Sequence, residues 1–162
     1  MTIEFALVSV DTPADANVII GQAHFVKTVE GLHEALVGIS VHLRFGIAFC
    51  EASGDCLIRR SGNDPDLERS ACAAAEAIGA GHSFVIMLRG GYPADALNAV
   101  KDVPEVSNIW CATADTVGVV VAAAGPNRGI AAVLDGRSPV GIETDADVAR
   151  RRVLLRELGY KQ

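Results

Sequence analysis

The stretch from residue 43 to residue 60, L-R-F-G-I-A-F-C-E-A-S-G-D-C-L-I-R-R, decides the fold. Phe45, Ile47 and Phe49 alternate along it, the two-residue period of a β-strand that reads from Leu43 to Glu51. Ser53-Gly54-Asp55 supplies turn residues, and Cys56 to Arg60 returns as the partner strand of a hairpin. A hairpin pairs its strands antiparallel, which argues against a purely parallel, doubly wound sheet. Directly downstream, Asn63-Asp64-Pro65 marks a helix start. Asp64 is placed to cap it and Pro65 to take its first position; Leu67, Ala71, Ala74 and Ile78 form the buried stripe, and Gly79 ends it. Ser83 to Leu88 is apolar throughout, as befits a buried central strand.

Working outward, Ile3 to Val10 reads as a strand, broken by Asp11 to Ala16 with its Pro13. Asn17 to Ile20 is a second, short strand ending at Gly21. A helix follows from about Val29, with Thr28 as its N-cap and Val29, Leu32, Leu36 and Ile39 on one face. Past the central strand come a short helix from Pro93 to Lys101 and three strands, Val106 to Ala112, Val117 to Ala124 and Ile130 to Leu134, the last two joined by the loop Gly125 to Gly129. A final helix starts at Thr144, with Asp147 completing a capping box, and runs to Leu158 before Gly159. The order β β α β β α β α β β β α predicts a single domain, residues 1–162, of α/β (α+β) class: one mixed β-sheet with about four helices packed on it.

The composition agrees. The chain has 162 residues, half of them hydrophobic, with 20 acidic against 14 basic residues and a net charge of −6. Its mean hydropathy of +0.30 excludes a disordered chain. An acidic protein without a basic stripe repels phosphate backbones, so no nucleic-acid partner is expected. No apolar run approaches the length of a membrane span and no secretory leader is visible, so the expected location is the cytoplasm. Cys50, Cys56, Cys72 and Cys111 form no CxxC pair and read as free, buried thiols. The surplus of small apolar residues predicts a homo-oligomer, for instance a trimer closed as a ring, with Val106 to Leu134 as its contact and Arg128 reaching a neighbour's pocket.

Polar residues cluster at strand ends beside glycines, where open sheets hold ligands. Gly21, Lys27 and Thr28 stand at Walker A offsets, but Val26 replaces the second glycine. Val26 cannot cheaply adopt the glycine conformation that wraps amides round a phosphate, so a P-loop is not expected. Lys27 with the helix start at Thr28 remains a place for a phosphate, against the plainer reading of a cap beside a solvated lysine. Gly79-Ala80-Gly81-His82 resembles the G-A-G-D anion loop of ribokinase-like sugar kinases, with His82 at the aspartate position, although the chain is too short for that fold. Cys50 beside Glu51, with His24 and His82 elsewhere, outlines a nucleophile–base set; inert packing is the plain alternative for the thiol. Glu51 leaves a buried strand, which is costly for a carboxylate unless it binds something. His24, His33 and His42 lack metal-ligand spacing, so no protein-held metal site is expected.

Taken together, N-V-I-I-G-Q-A-H-F-V-K-T-V-E (17–30), F-G-I-A-F-C-E-A-S-G (45–54), G-A-G-H-S-F-V-I (79–86), L-N-A-V-K-D-V-P-E-V (97–106), C-A-T-A (111–114) and V-L-D-G-R-S-P-V-G-I-E (133–143) resemble the archaeal and bacterial adenosine-specific kinase family. The resemblance spans nearly the whole chain; Gly31 and Asp115-Thr116 depart from it. It implies an α/β domain, a homo-oligomer, and adenosine or an adenine nucleotide as ligand, with phosphoryl transfer to adenosine from ATP or another phosphate donor and Mg²⁺. In that reading Lys27, Thr28 and Arg128 hold phosphates, Glu51 or Asp135 takes the proton from the ribose 5′-hydroxyl, and Asn17, Gln22, His24 and His82 fix base and sugar. Lys27 counts with the catalytic set as the cation on the moving phosphoryl group, and Glu143 joins Glu51 and Asp135 as a potential metal ligand. Two alternatives stand beside it: a non-catalytic adenine-nucleotide binding or sensor module, and a thiol-dependent enzyme using Cys50.

Overall fold

The alternating apolar residues of 44–50 make a strand that buries both of its faces, and the rest of the molecule is arranged around it. The structure, a computed structural model, describes residues 2–161. Its elements are β1 (Glu4–Val10), β2 (Asn17–Ala23), α1 (Thr28–Val37), β3 (Arg44–Cys50), β4 (Ile58–Gly62), α2 (Pro65–Ile78), β5 (Ser83–Arg89), α3 (Pro93–Lys101), β6 (Val106–Thr113), β7 (Val117–Ala124), β8 (Asn127–Asp135) and α4 (Asp145–Glu157). The order, the four helices and the α+β class are those read from the sequence.

The sheet differs. The strands form not one mixed sheet but two, of order β4-β3-β5-β2-β6 and β1-β7-β8, and every pairing is antiparallel. The reason lies in pairings distant in sequence. β1 turns away from β2 across the Asp11–Ala16 break and pairs with β7, from Glu4 opposite Ala123 to Val10 opposite Val117. In β7 only alternate residues, Val117, Val119 and Val121, are buried, so the small sheet offers the core one face. β5 is buried on both faces from Ser83 to Leu88 and lies at the centre of the large sheet.

Two apolar layers flank the large sheet. On one side Val18, Ile20, Ala48, Val85 and Met87 meet Leu67, Ala71, Ala75 and Ile78 of α2 together with the inner face of β7. On the other, Ile19, Phe45, Ile47, Phe49, Phe84 and Ile86 meet Leu32 and Leu36 of α1 and Ala96 and Val100 of α3. α2 is seated closely: a Cβ at Gly46 would fall on the backbone of Leu67 and Glu68. Its caps are the expected ones. Asp64 accepts from Asp66 N at 3.0 Å and Leu67 N at 3.2 Å, and Gly79 closes the helix with φ +60°. The capping box at Thr144 and Asp147 also forms.

The start of α1 is a correction. Lys27, not Thr28, occupies the N-cap position, in helical conformation and without a side-chain cap. Thr28 is the first helical residue and fully buried, so its hydroxyl turns back and donates to the carbonyls of Phe25 (2.7 Å) and His24 (3.2 Å). α4 differs from the other helices in having no buried residue. Cys50 and Cys111 are buried, Cys72 is half-buried and Cys56 exposed, all four as free thiols. Among the described residues no helix is long and apolar enough to cross a membrane.

Candidate functional site

Antiparallel pairing brings the C-terminal ends of β2 and β3 beside the start of β5. Two backbone hydrogen bonds lock these ends together, Ala23 N to His82 O (2.9 Å) and His82 N to Cys50 O (2.8 Å), and a third, His24 N to Glu105 O (2.9 Å), ties the end of β2 to the segment before β6. The start of β8 joins them, because Gly81 N donates to Arg128 O at 3.2 Å. Gly81 permits this closeness, since a Cβ there would lie 2.9 Å from the Ala52 methyl. Among the described residues the non-glycine residues with positive φ are Phe25 (81°), Cys56 (51°) and His82 (65°), and all three sit at this end of the sheet. Such conformations cost of order 1 kcal/mol or more each and gather where surroundings force them, functional sites above all.

Here a cavity of about 470 Å³ opens, lined by Cys50, Glu51, Ala52, Cys56, Ile58, Glu76, Gly79, Gly81, Pro126, Asn127 and Arg128. Its volume lies in the range of small-molecule sites. Two carboxylates, a guanidinium and an amide share walls otherwise built of small residues. Glu51 Oε2 accepts from Arg59 Nη2 at 2.8 Å, with Asp55 at 3.9 Å from the same nitrogen. Arg128 Nη2 donates to Ala77 O at 3.2 Å, a cation set on the carbonyl end of α2, where the helix dipole favours it. Among the described residues no cation pairs with Glu76. A second cavity of about 100 Å³ adjoins, sharing Gly81 and lined also by Gln22, Ser83, Trp110 and Gly129. The His24 and His82 rings meet edge to face at 5.3 Å, and Phe49 stacks on His82 at 6.3 Å.

The expected residues are thus partly gathered. Glu51 and Arg128 line the main cavity, Gln22 the small one, and His24 and His82 stand beside each other at the same sheet end. Arg128 serves a cavity formed by its own chain. Lys27 is turned to Glu105, Nζ to Oε1 at 3.2 Å, and does not line the cavity. A backbone hydrogen bond and this lysine together hold the Glu105 carboxyl below its usual range. The Thr28 amide donates to Phe25 O at 3.0 Å and is therefore not free for a phosphate. Asn17 begins β2 where Gln22 nearly ends it, roughly 17 Å away at about 3.3 Å per residue, and donates to Gly91 O. Asp135 ends β8 where Arg128 starts it, roughly 23 Å off by the same measure, and Glu143 is paired with Arg151.

Sequence reading missed Arg59, Glu76 and Asn127. The hairpin register held a signal for Arg59: Glu51 N bonds Leu57 O, so Arg59 is the diagonal neighbour on Glu51's face. Glu76 looked like any polar residue on an amphipathic helix. Cys50 is a poor nucleophile here. Burial pushes its thiol up, partly offset by a Ser83 hydrogen bond, and Sγ lies 3.6 Å from Ala75 O.

Among the described residues no three His, Cys, Asp or Glu side chains cluster as a metal cage. Mg²⁺ does not require one, since it is commonly held by one or two carboxylates and the substrate's phosphates. The unpaired Glu76 carboxylate on the cavity wall fits that pattern.

Fold and cavity define an α+β protein with two antiparallel sheets and a polar cavity at one end of the larger. The chain belongs to the adenosine-specific kinase family, whose model matches residues 8–161. Among solved structures it is similar to the PH1918 protein from Pyrococcus horikoshii OT3, at 38% identity over 99% of each chain with a TM-score of 0.95. No curated protein matches it.

Proposed function

We propose that this protein binds adenosine or an adenine nucleotide in the Glu51–Arg128 cavity and transfers a phosphoryl group to adenosine. The observation that carries the reading is that a carboxylate and a guanidinium line one cavity of nucleoside size. Arg128 offers a planar fork of donors suited to phosphate oxygens. Glu51 accepts the proton of the ribose 5′-hydroxyl as it attacks, and Arg59 fixes the carboxylate that does so. Gly79, Ala80 and Gly81 leave room for the ligand to approach the backbone. Glu76 would hold Mg²⁺ together with the phosphates of ATP or another donor, and the ion would neutralise charge on the transferred group. Gln22, His24 and His82 flank this site and supply hydrogen bonds to base or sugar. Free thiols suit a reducing cytoplasm.

One observation favours the second reading, a binding module without chemistry. Glu51 is already engaged by Arg59, so a ligand hydroxyl must compete with an existing ion pair to reach it. Calorimetry with adenosine, AMP and ATP, followed by an AMP product assay with adenosine, ATP and Mg²⁺, separates the two. Binding with turnover supports the kinase reading. Binding without turnover leaves the module, and no binding of any of the three overturns both.

A further inference from the structure

The small cavity beside the Glu51–Arg128 pocket pairs two polar groups with an indole. Gln22 of β2 and Ser83 of β5 are direct cross-strand partners, so their side chains leave the large sheet on one face, on the order of 5 Å apart at Cβ. Both line the cavity, together with Trp110, Ile130 and Gly81. Trp110 packs against the apolar layer that Val85 and Met87 help to form, which holds the indole at the cavity wall. The volume of about 100 Å³ is well below that of a whole-ligand site. A single base is the part of a nucleoside it can take.

The polar groups limit which base. Ser83 is 2% exposed, and its hydroxyl donates to Ala80 O at 2.6 Å. A hydroxyl has one proton, so towards the cavity Ser83 Oγ can only accept. The side-chain amide of Gln22 takes no hydrogen-bond partner among the described residues, while Ser107 Oγ donates to its backbone carbonyl at 3.0 Å. An exocyclic amine carries two protons, one for each of two neighbouring oxygens. A ring carbonyl carries none and would set oxygen against oxygen.

We infer that the small cavity is the base subsite, with the adenine 6-amino group shared between Gln22 Oε1 and Ser83 Oγ. The Gln22 amide nitrogen donates to ring nitrogen N7, the pairing by which glutamine reads adenine, and Trp110 packs on the ring. Gln22 alone could turn its amide to suit either kind of base; Ser83, with its proton committed, makes the choice. Gly81, common to both cavities, marks where the ligand passes from base to ribose and phosphate. The inference rests on the proposal that adenosine or its nucleotide binds at this end of the sheet, and it adds the atoms that select adenine over a 6-oxopurine.

Fluorescence and calorimetry with AMP, IMP and inorganic phosphate test it. Trp110 is the chain's single tryptophan, so AMP should change its emission and inorganic phosphate should not. The phosphate anchors both nucleotides and only the purine edge differs, so AMP should bind about 100-fold or more tighter than IMP. Gln22→Met keeps the length and removes the amide. It should weaken AMP about tenfold or more, leave IMP nearly unchanged and so narrow the preference. Ser83→Ala should narrow it as well. Circular dichroism verifies the fold, and Gln22→Asn or Ser83→Cys replaces a variant that unfolds. Calorimetric binding of AMP with the Trp110 emission unchanged, equal affinity for AMP and IMP, or an undiminished preference in either variant overturns the inference and leaves the Glu51–Arg128 reading standing. Absence of AMP binding overturns the two together.

Discussion

Arg59 reaches across the β3–β4 hairpin and donates to Glu51 at 2.8 Å, fixing the one cavity carboxylate that sequence reading had singled out. If Glu51 is the base, Glu51→Gln keeps the shape and removes the proton acceptor. Turnover should fall about 10²-fold or more while the melting temperature barely moves. Asp135→Asn, at the far end of β8, should leave turnover unchanged. Full activity in Glu51→Gln would remove Glu51 from the chemistry.

In the proposed function the phosphate contact falls to Arg128, which lines the cavity, rather than to Lys27, which pairs with Glu105. Arg128→Ala should weaken AMP binding about ten- to a hundred-fold more than adenosine binding, the worth of a charge-assisted contact at roughly 1.5–3 kcal/mol. Lys27→Ala, which breaks the pair with Glu105, should change both affinities by little. Titration calorimetry with the two ligands decides, and equal losses in Arg128→Ala would exclude a phosphate contact.

Cys111 gives a pH signature. Burial, with Asp135 adding to it, pushes its thiol from 9.0 to about 11. A pKa raised in the folded state contributes stability that is complete below about pH 9 and lost as the pH rises towards 11. Two units correspond to roughly 2–3 kcal/mol. Urea unfolding at pH 8 and at pH 11 should show that loss in the natural protein, and Cys111→Ala should show it reduced. Equal losses in both would assign the alkaline destabilisation to other groups.

Gly46 is where α2 rests on β3. Gly46→Ala would place a methyl against the backbone of Leu67 and Glu68, which cannot rotate aside as a side chain can. The expected cost is about 1–3 kcal/mol or more, read as a lowered urea midpoint. Gly129→Ala, with no heavy atom within 4 Å of the added carbon, should be near neutral in the same measurement. A neutral Gly46→Ala would mean that the helix is free to lift.

The sequence by itself determined the twelve elements, their order and the sharpest of their ends. The alternation of Phe45, Ile47 and Phe49, the Asp64-Pro65 start and the Gly79 stop act within a few residues, so local chemistry is enough to read them. It also marked Glu51 and Arg128, polar residues placed at strand ends. What only the tertiary structure decided depends on pairings between residues far apart in the chain. β1 chose β7 over β2, which split the expected sheet in two. Seven residues of β2 separated Asn17 from the strand end that holds His24, and the length of β8 carried Asp135 away from Arg128. The α1 entry turned the Thr28 hydroxyl inward and left Lys27 to Glu105. Glu76 and Asn127 became neighbours of Glu51 only because α2 and the small sheet pack on the same face of the large one. Strand partners and helix seats are selected by the burial they jointly achieve, a property of the assembled core that no short window of sequence contains.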